Sequence, residues 1–290
     1  MLPMQSIDLI ELDYLSTLEI IGEGAIDLLQ GQITSDMEKV TSSMGSIGAL
    51  CNIKGRVESS FLVIKKPNFK NTFLLIGNKE IMEGTETILR QYSPFYAVEM
   101  RMNEEYRFVG INEKFLVSEF SETDLSLSVQ SHKKFVRIHY LQKRFHLLLL
   151  DKDSSCFDSV EVSKDINEWE KDNIINKDFN VQIKDANKYT PHELGYHHTN
   201  RIDFEKGCYT GQEIVARMHY RAKKLPFLMI GRSEDNDTKS SEIFNLEGNR
   251  VGSVLSEAKQ ENSRLCLFSM NKNYDGGEVR FQDSSLITFE

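Results

Sequence analysis

Short apolar runs of strand length, broken by turns and without regular strand–helix–strand alternation, set the limit on what this chain can fold into. Phe61-Leu62-Val63-Ile64 and Leu147-Leu148-Leu149-Leu150 are its longest kind of aliphatic stretch, far below the about 20 apolar residues a membrane span needs. Strands are expected over 17–21, 46–53, 57–65, 73–76, 95–102, 106–112, 135–141 and 145–150. Lys54-Gly55-Arg56 forms a short connection between the second and third, with glycine at the tip as in a hairpin. A short helix over 25–30 is expected to break at Gly31. A second runs from an Asn78 cap through Arg90, before Pro94. The class is α+β, rich in strand.

With 290 residues the chain holds one large domain or two unequal ones. The polar stretch 153–188 carries the only tryptophan, Trp169, in one short helix of a connecting region. Beyond Pro226, a solvated loop over 233–241 and short strands with turns predict a small all-β domain, dividing the chain into 1–224 and 225–290. Thirty-five Lys+Arg against 44 Asp+Glu leave a net charge of −9. That balance argues against a surface built to coat nucleic acid or anionic lipid, so direct tRNA binding is not expected. No Lys or Arg precedes the acidic Asp8, Glu11 and Asp13, which fits neither a secretory nor a transit peptide, and the expected compartment is the cytoplasm. The four cysteines lie far apart with no C-x-x-C pair, as in a chain with reduced thiols.

The most informative segment runs from Lys206 through Gly207, Cys208, Tyr209, Thr210, Gly211, Gln212 and Glu213 to Arg217. Two glycines allow close backbone approach. A helix opening at Gly211-Gln212-Glu213 would favour a thiolate at its N-terminus, and Lys206 would act in the same direction. Cys208 is thus a candidate functional thiol, weighed against a buried structural cysteine. Cys51 and Cys266, in apolar runs, read as core packing, and Cys156 lacks such surroundings. Arg217, Arg221 and Lys224 share one helical face, either a seat for carboxylates or phosphates or simply a solvated face. His192-Glu193 through His198 invites comparison with H-E-x-x-H. Yet Tyr196 occupies the fourth position and His197 lies about 140° round a helix from His192. A loop with exposed histidines is the simpler reading, and no metal site is expected. Gly22-Glu23-Gly24 has Asp27 where a dinucleotide fingerprint needs glycine, and reads as a tight turn.

Lys206 to Glu213, followed by Ile214-Val215-Ala216-Arg217, resembles the signature of the folate-binding YgfZ proteins, relatives of the glycine-cleavage aminomethyltransferase (T-protein). Gly31-Gln32-Ile33-Thr34-Ser35-Asp36 resembles the family's G-Q-x-T-x-D, and Cys51 to Arg56 its C-x-x-K-G-[RK] hairpin. Trp169, Pro191 and the spacing up to Lys206 are similar too, so the likeness covers most of the chain. The resemblance implies a T-protein-like folate-binding body around a central cavity with a small C-terminal β-barrel. It implies tetrahydrofolate or a polyglutamylated derivative as cofactor. The implied role is support of iron–sulfur cluster assembly or repair in client enzymes, notably a radical-SAM tRNA methylthiotransferase. Carried onto these residues, Cys208 and Lys206 would form the reactive pair, and Lys206, Gly207, Tyr209, Gly211, Gln212, Glu213, Arg217, Arg221 and Trp169 would meet the cofactor. Ser59-Ser60 stands where T-proteins carry an acidic pair, and serine cannot act as a carboxylate base. Folate-dependent aminomethyl transfer is therefore the second reading, and a binding module without folate the third.

Overall fold

A computed structural model describes residues 9–112, 127–158, 160–234, 241–282 and 285–289. Most of the loop expected over 233–241, and the N-terminal stretch through Asp8, lie outside the described residues.

The body is one ten-stranded sheet. Its strands are β1 (Leu9–Glu11), β2 (Leu15–Ile21), β3 (Met44–Cys51), β4 (Val57–Lys65), β5 (Thr72–Asn78), β6 (Glu99–Asn103), β7 (Tyr106–Asn112), β8 (Leu127–Ser131), β9 (Phe135–His139) and β10 (Phe145–Asp151). They lie in the order β1-β7-β10-β9-β8-β3-β4-β5-β2-β6, and β3 joins the two halves by pairing with both β4 and β8. Alternation within the apolar runs explains their composition, because successive side chains point to opposite faces. Leu62 and Ile64 of β4, Leu74 and Ile76 of β5 and Leu147 and Leu149 of β10 meet in one central cluster. Phe61, Val63, Phe73 and Leu75 turn the other way, beneath α1 (Ala25–Gln32) and α2 (Lys79–Arg90). Leu148 and Leu150 enter a third cluster with Leu9, Val109 and Ile111. Burial on both faces is why these antiparallel strands carry unbroken hydrophobic runs.

Several elements depart from the expectation. Helix α1 continues through Gly31 to Gln32, since that glycine keeps no left-handed backbone and meets nothing nearer than the Tyr96 hydroxyl at 3.7 Å. The strand expected from residue 95 begins at Glu99, because Ser93–Phe95 winds into a 3-10 turn around Pro94. The strand from Phe135 stops at His139, and Leu141 and Gln142, with φ of 56° and 54°, make the turn that presents Lys143. Strand β8 lacked a sequence signal. The Asn78 cap forms as expected, its Oδ1 accepting from the Glu80 N–H at 3.1 Å.

Two more helices, α3 (Asn167–Ile175) and α4 (Gln212–Arg221), link the body to a closed barrel. The barrel strands are β11 (Phe227–Ser233), β12 (Glu242–Asn245), β13 (Arg250–Gln260), β14 (Ser263–Met270), β15 (Val279–Phe281) and β16 (Leu286–Phe289). Closure removes free sheet edges. Cys266, Phe268 and Phe281 fill its interior, while Leu228, Leu255 and Leu267 pack on Ile174, Phe179 and Tyr209 of the body. Among the described residues no helix is long and apolar enough to cross a membrane.

Candidate functional site

Two places in the fold gather unusual chemistry: a central cavity, and the joint at which the sequence motifs meet.

The cavity between the body and the barrel is small by itself, about 60 Å³. Tyr14, Tyr140, Trp169, Leu62 and Leu147 supply apolar wall, and Asn173, Asp178, Asn180 and Gln182 supply hydrogen-bonding groups. Through Tyr14, Asn78, Glu170, Gln182 and Ser256 it is continuous with a larger outer cleft that also holds Lys79, Lys164, Lys184 and Arg264. Trp169 packs over Gly110, where a Cβ would stand 2.8 Å from its ring, and donates its indole N–H to the Tyr14 hydroxyl at 2.9 Å.

Beside the cavity lies a buried charge network. Asp178 Oδ2 accepts from Lys143 Nζ and Oδ1 from Arg201 Nη2, both at 2.5 Å, and all three side chains are at most 1% exposed. Lys143 also donates to the Tyr140 hydroxyl at 2.8 Å and to Asn173 Oδ1 at 2.7 Å. Burial alone would raise the Asp178 pKa; the two cations outweigh it and hold the carboxyl well below the usual range. Asp178 faces the cavity, and the two cations lie behind it. Burial pushes Glu170 at the mouth the other way, upward.

The barrel adds one polar atom. Strand β13 bulges between Val254 and Ser256, and the Ser256 hydroxyl reaches the cavity buried and with no hydrogen-bond partner. Bulges commonly re-aim a side chain beside a site, and an orphaned buried hydroxyl costs about 1–3 kcal/mol unless something meets it.

The second place is the motif joint. Lys206 Nζ, buried, donates to the carbonyls of Gln30, Ile33 and Ser35 at 2.8, 2.7 and 2.9 Å, capping the end of α1. Burial lowers its pKa to about 8. Thr34 donates to the Arg201 carbonyl and accepts from Ala49 N, and Thr210 donates to Gln32 Oε1 at 2.9 Å. Gly211, at φ 85°, is the left-handed N-cap of α4, and a Cβ there would meet the Asn52 carbonyl oxygen at 2.4 Å. A Cβ on Gly55, at the hairpin tip, would stand 3.0 Å from Ile214. The three segments singled out in the sequence therefore interlock.

The residues expected from the sequence fall in different places. Lys206 has all three of its donors committed to carbonyls, so it anchors the joint. Cys208 is exposed, on the loop three residues before the N-cap. Tyr209 is buried in the cluster between body and barrel, and Gly207 and Glu213 are exposed. Of the residues expected to meet a cofactor, Trp169 lines the cavity; Lys206, Gly207, Tyr209, Gly211, Gln212, Glu213, Arg217 and Arg221 line neither it nor the outer cleft. Ser59 and Ser60 are buried, and Ser60 Oγ accepts from Val181 N at 2.8 Å. Sequence reasoning missed Tyr14, Tyr140, Lys143, Asp178 and Ser256. Their available signal was the polar alternation Asp178-Phe179-Asn180-Val181-Gln182 inside a stretch read as a connector.

No protein-family model matches the chain. A tRNA-modifying protein YgfZ from Colwellia psychrerythraea is 30% identical over 224 residues, covering 74% of this chain and 68% of that protein. The chain belongs to the YgfZ family. A second YgfZ, from Aliivibrio fischeri, is 26% identical over 296 residues, 97% of this chain and 90% of its own. The aminomethyltransferase T of the glycine cleavage system from Bartonella henselae superposes with a TM-score of 0.72 at 12% identity, covering 98% of this chain and 84% of that one. The YgfZ chain thus has the T-protein fold, barrel included.

Proposed function

We propose that this YgfZ-family chain binds tetrahydrofolate or a derivative in the central cavity and serves, as an accessory protein, enzymes that modify tRNA. The observation that carries the reading is the cavity itself. It has aromatic walls from Tyr14, Tyr140 and Trp169, amides and the Asp178 carboxylate at one end, and the unpartnered Ser256 hydroxyl. A pterin presents a flat face and a dense edge of donors and acceptors, which such a lining fits. The tail carboxylates would run out through the cleft past Lys79, Lys164 and Lys184. When bound, tetrahydrofolate supplies a one-carbon carrier.

The relatives named tRNA-modifying proteins support the biological setting. In this reading Cys208, exposed and outside the cavity, faces a partner and acts in assembly or repair of iron–sulfur clusters in enzymes such as a radical-SAM tRNA methylthiotransferase. Aminomethyl transfer is the weaker reading, because Asp178 is neutralised by two cations and Ser60 is occupied by backbone.

Trp169 is the only tryptophan and lines the cavity, so its fluorescence reports occupancy. Titration with tetrahydrofolate should change it saturably, and Asn173→Leu should weaken binding at least about tenfold, the loss of one charge-coupled hydrogen bond. Absence of saturable binding by the folded protein overturns the folate assignment. Restoration of tRNA methylthiolation by Cys208→Ser in cells lacking the protein overturns the thiol role.

A further inference from the structure

Helix α4 spends its inner face on packing. Val215 enters the cluster between body and barrel, and Gly55 of the hairpin tip sits against Ile214. His219 stacks on Phe204 with ring centres 3.8 Å apart and faces His192 and His197 at 5.8 and 6.4 Å. The histidines expected on an exposed loop therefore lie largely beneath the helix. Residues 191–200 form consecutive turns in which His192 is fully buried and His197 half-buried, and His198 alone is exposed.

The outer face is different. Arg217, Tyr220 and Arg221, at i, i+3 and i+4, share it, and all three are exposed. The helix ends at Arg221, so Lys224 does not extend that face as a helical residue; it follows with Lys223 in the bend that leads to β11, both exposed. At the other end the hairpin tip packs on the first turn of α4, where it presents Lys54 and Ile53, the latter 81% exposed. Lys54, Arg217, Arg221, Lys223 and Lys224 form no ion pair among the described residues, although acids outnumber bases in the chain by nine. Surface arginines elsewhere have found an acid: Arg90 pairs with Glu86, Arg101 with Glu19 and Arg250 with Glu242. The only acid of α4 is Glu213. A helix C-terminus favours a cation in its last turn. That accounts for Arg221, but not for a lysine on a separate hairpin or for an isoleucine and a tyrosine left in water beside it.

We propose that the outer face of α4 and the hairpin tip form the docking surface for a protein partner that presents an acidic patch with an apolar spot. The five cations lack counter-charge within the chain, and opposite charge on a partner both steers it in and fixes its register. Arginine and tyrosine are side chains that interfaces concentrate, and Ile53 supplies an apolar contact beside the charge. RNA phosphates would match the cations but leave Ile53 without a counterpart, and a chain of net charge −9 lacks the broad positive field that gathers RNA. Exposed Cys208, three residues before the Gly211 cap that packs on the same hairpin, borders the surface. The proposal rests on the accessory-protein reading and adds to it the face by which a client is held.

The test expresses the full chain in cells lacking the protein and reads tRNA methylthiolation, with tRNA affinity and the thermal midpoint measured on the purified variants. Arg217→Glu/Arg221→Glu should lower the modification at least about tenfold at wild-type expression, since like charges brought together repel strongly. Arg217→Ala/Arg221→Ala, gentler on the helix end, should lower it at least about threefold, and so should Ile53→Ser, which leaves every charge in place. Lys133→Glu/Lys134→Glu, an equal reversal at exposed positions between β8 and β9, should restore it fully. Full restoration by either arginine pair, or by Ile53→Ser, overturns the surface. Saturable tRNA binding by the wild type that the arginine pair loses assigns the face to RNA and overturns the protein partner. A wild type that fails to restore the modification overturns the accessory reading first, and the surface falls with it.

Discussion

The Cα of Gly55 lies 3.4 Å from the point at which a side chain on Gly211 would begin. These glycines belong to motifs far apart in sequence, and each is held by its own surroundings, a Cβ on Gly55 (φ 68°) standing 3.0 Å from Ile214. Gly211 has a left-handed φ of 85° and the Asn52 carbonyl oxygen 2.4 Å from its would-be Cβ, whereas a Cβ on Gly207 would meet no heavy atom within 4 Å. Gly211→Ala is expected to cost about 2 kcal/mol or more, and Gly207→Ala less than about 0.5 kcal/mol. Urea unfolding of the two variants measures this. Equal losses would remove the packing explanation.

Thiol chemistry separates the cysteines by exposure. Burial pushes Cys51 and Cys266 up to about 12, while Cys208 is exposed and Cys156 half-buried. In the native protein iodoacetamide should label Cys208 first, Cys156 next and the buried pair only on unfolding. Mass mapping of the alkylated peptides shows the order, and early labelling of Cys51 would contradict the burial described for it.

Arg217 and Arg221 lie on α4, outside the cavity and its cleft. Replacing both by Ala should leave tetrahydrofolate affinity within about twofold for the monoglutamate and for a long-tailed form alike, since surface charges act weakly at a distance. The triple variant of Lys79, Lys164 and Lys184 should weaken the long-tailed form selectively. A selective loss in the arginine variant would return the tail to α4.

The fold was legible wherever a local signal decided it. Asn78 capped its helix and Lys54-Gly55-Arg56 turned its hairpin; short strands with turns announced the barrel. Gly31 misled, because a glycine permits a helix end without requiring one. The signature segment was legible as a motif, but not its contacts. A lysine next to a cysteine in sequence reads as a charge on a thiol, and only the fold shows Lys206 delivered to three carbonyls of a distant helix end. The cavity lining stayed hidden because Tyr14, Tyr140, Asp178 and Ser256 come from four separate segments and share no spacing.

Asp178 balances Lys143 and Arg201 inside the core. Asp178→Asn leaves two buried cations without a counter-charge and should cost about 3–5 kcal/mol, whereas Lys143→Met keeps the pair with Arg201 and should cost less. The sign of the pH dependence follows from the depressed carboxyl: the contribution is complete above the ordinary aspartate value of about 4 and is lost as the pH falls below it. Denaturant unfolding of both variants checks the order, and a larger loss in Lys143→Met would refute it.

The histidine cluster titrates in a different window. Burial first, then the charges of His219 and His198, lower His192 to about 4, and His197 follows to about 3. In the unfolded chain a histidine takes its proton near 6.5. Between about 6.5 and 4 the unfolded state therefore binds more protons, and stability falls as the pH falls. One such group can steepen that slope by at most about 1.4 kcal/mol per pH unit. His192→Phe, packed beside Phe204, removes one titrating ring. The wild type should lose more stability than this variant between about pH 7 and 5, a range above the window of Asp178. Glu170, Glu58 and Asp185, whose carboxyls burial raises, titrate alike in both proteins, so the difference belongs to the ring. Parallel pH profiles in urea melts would show that His192 takes a proton in the folded chain as readily as in water, and would remove the buried neutral cluster along with the prediction.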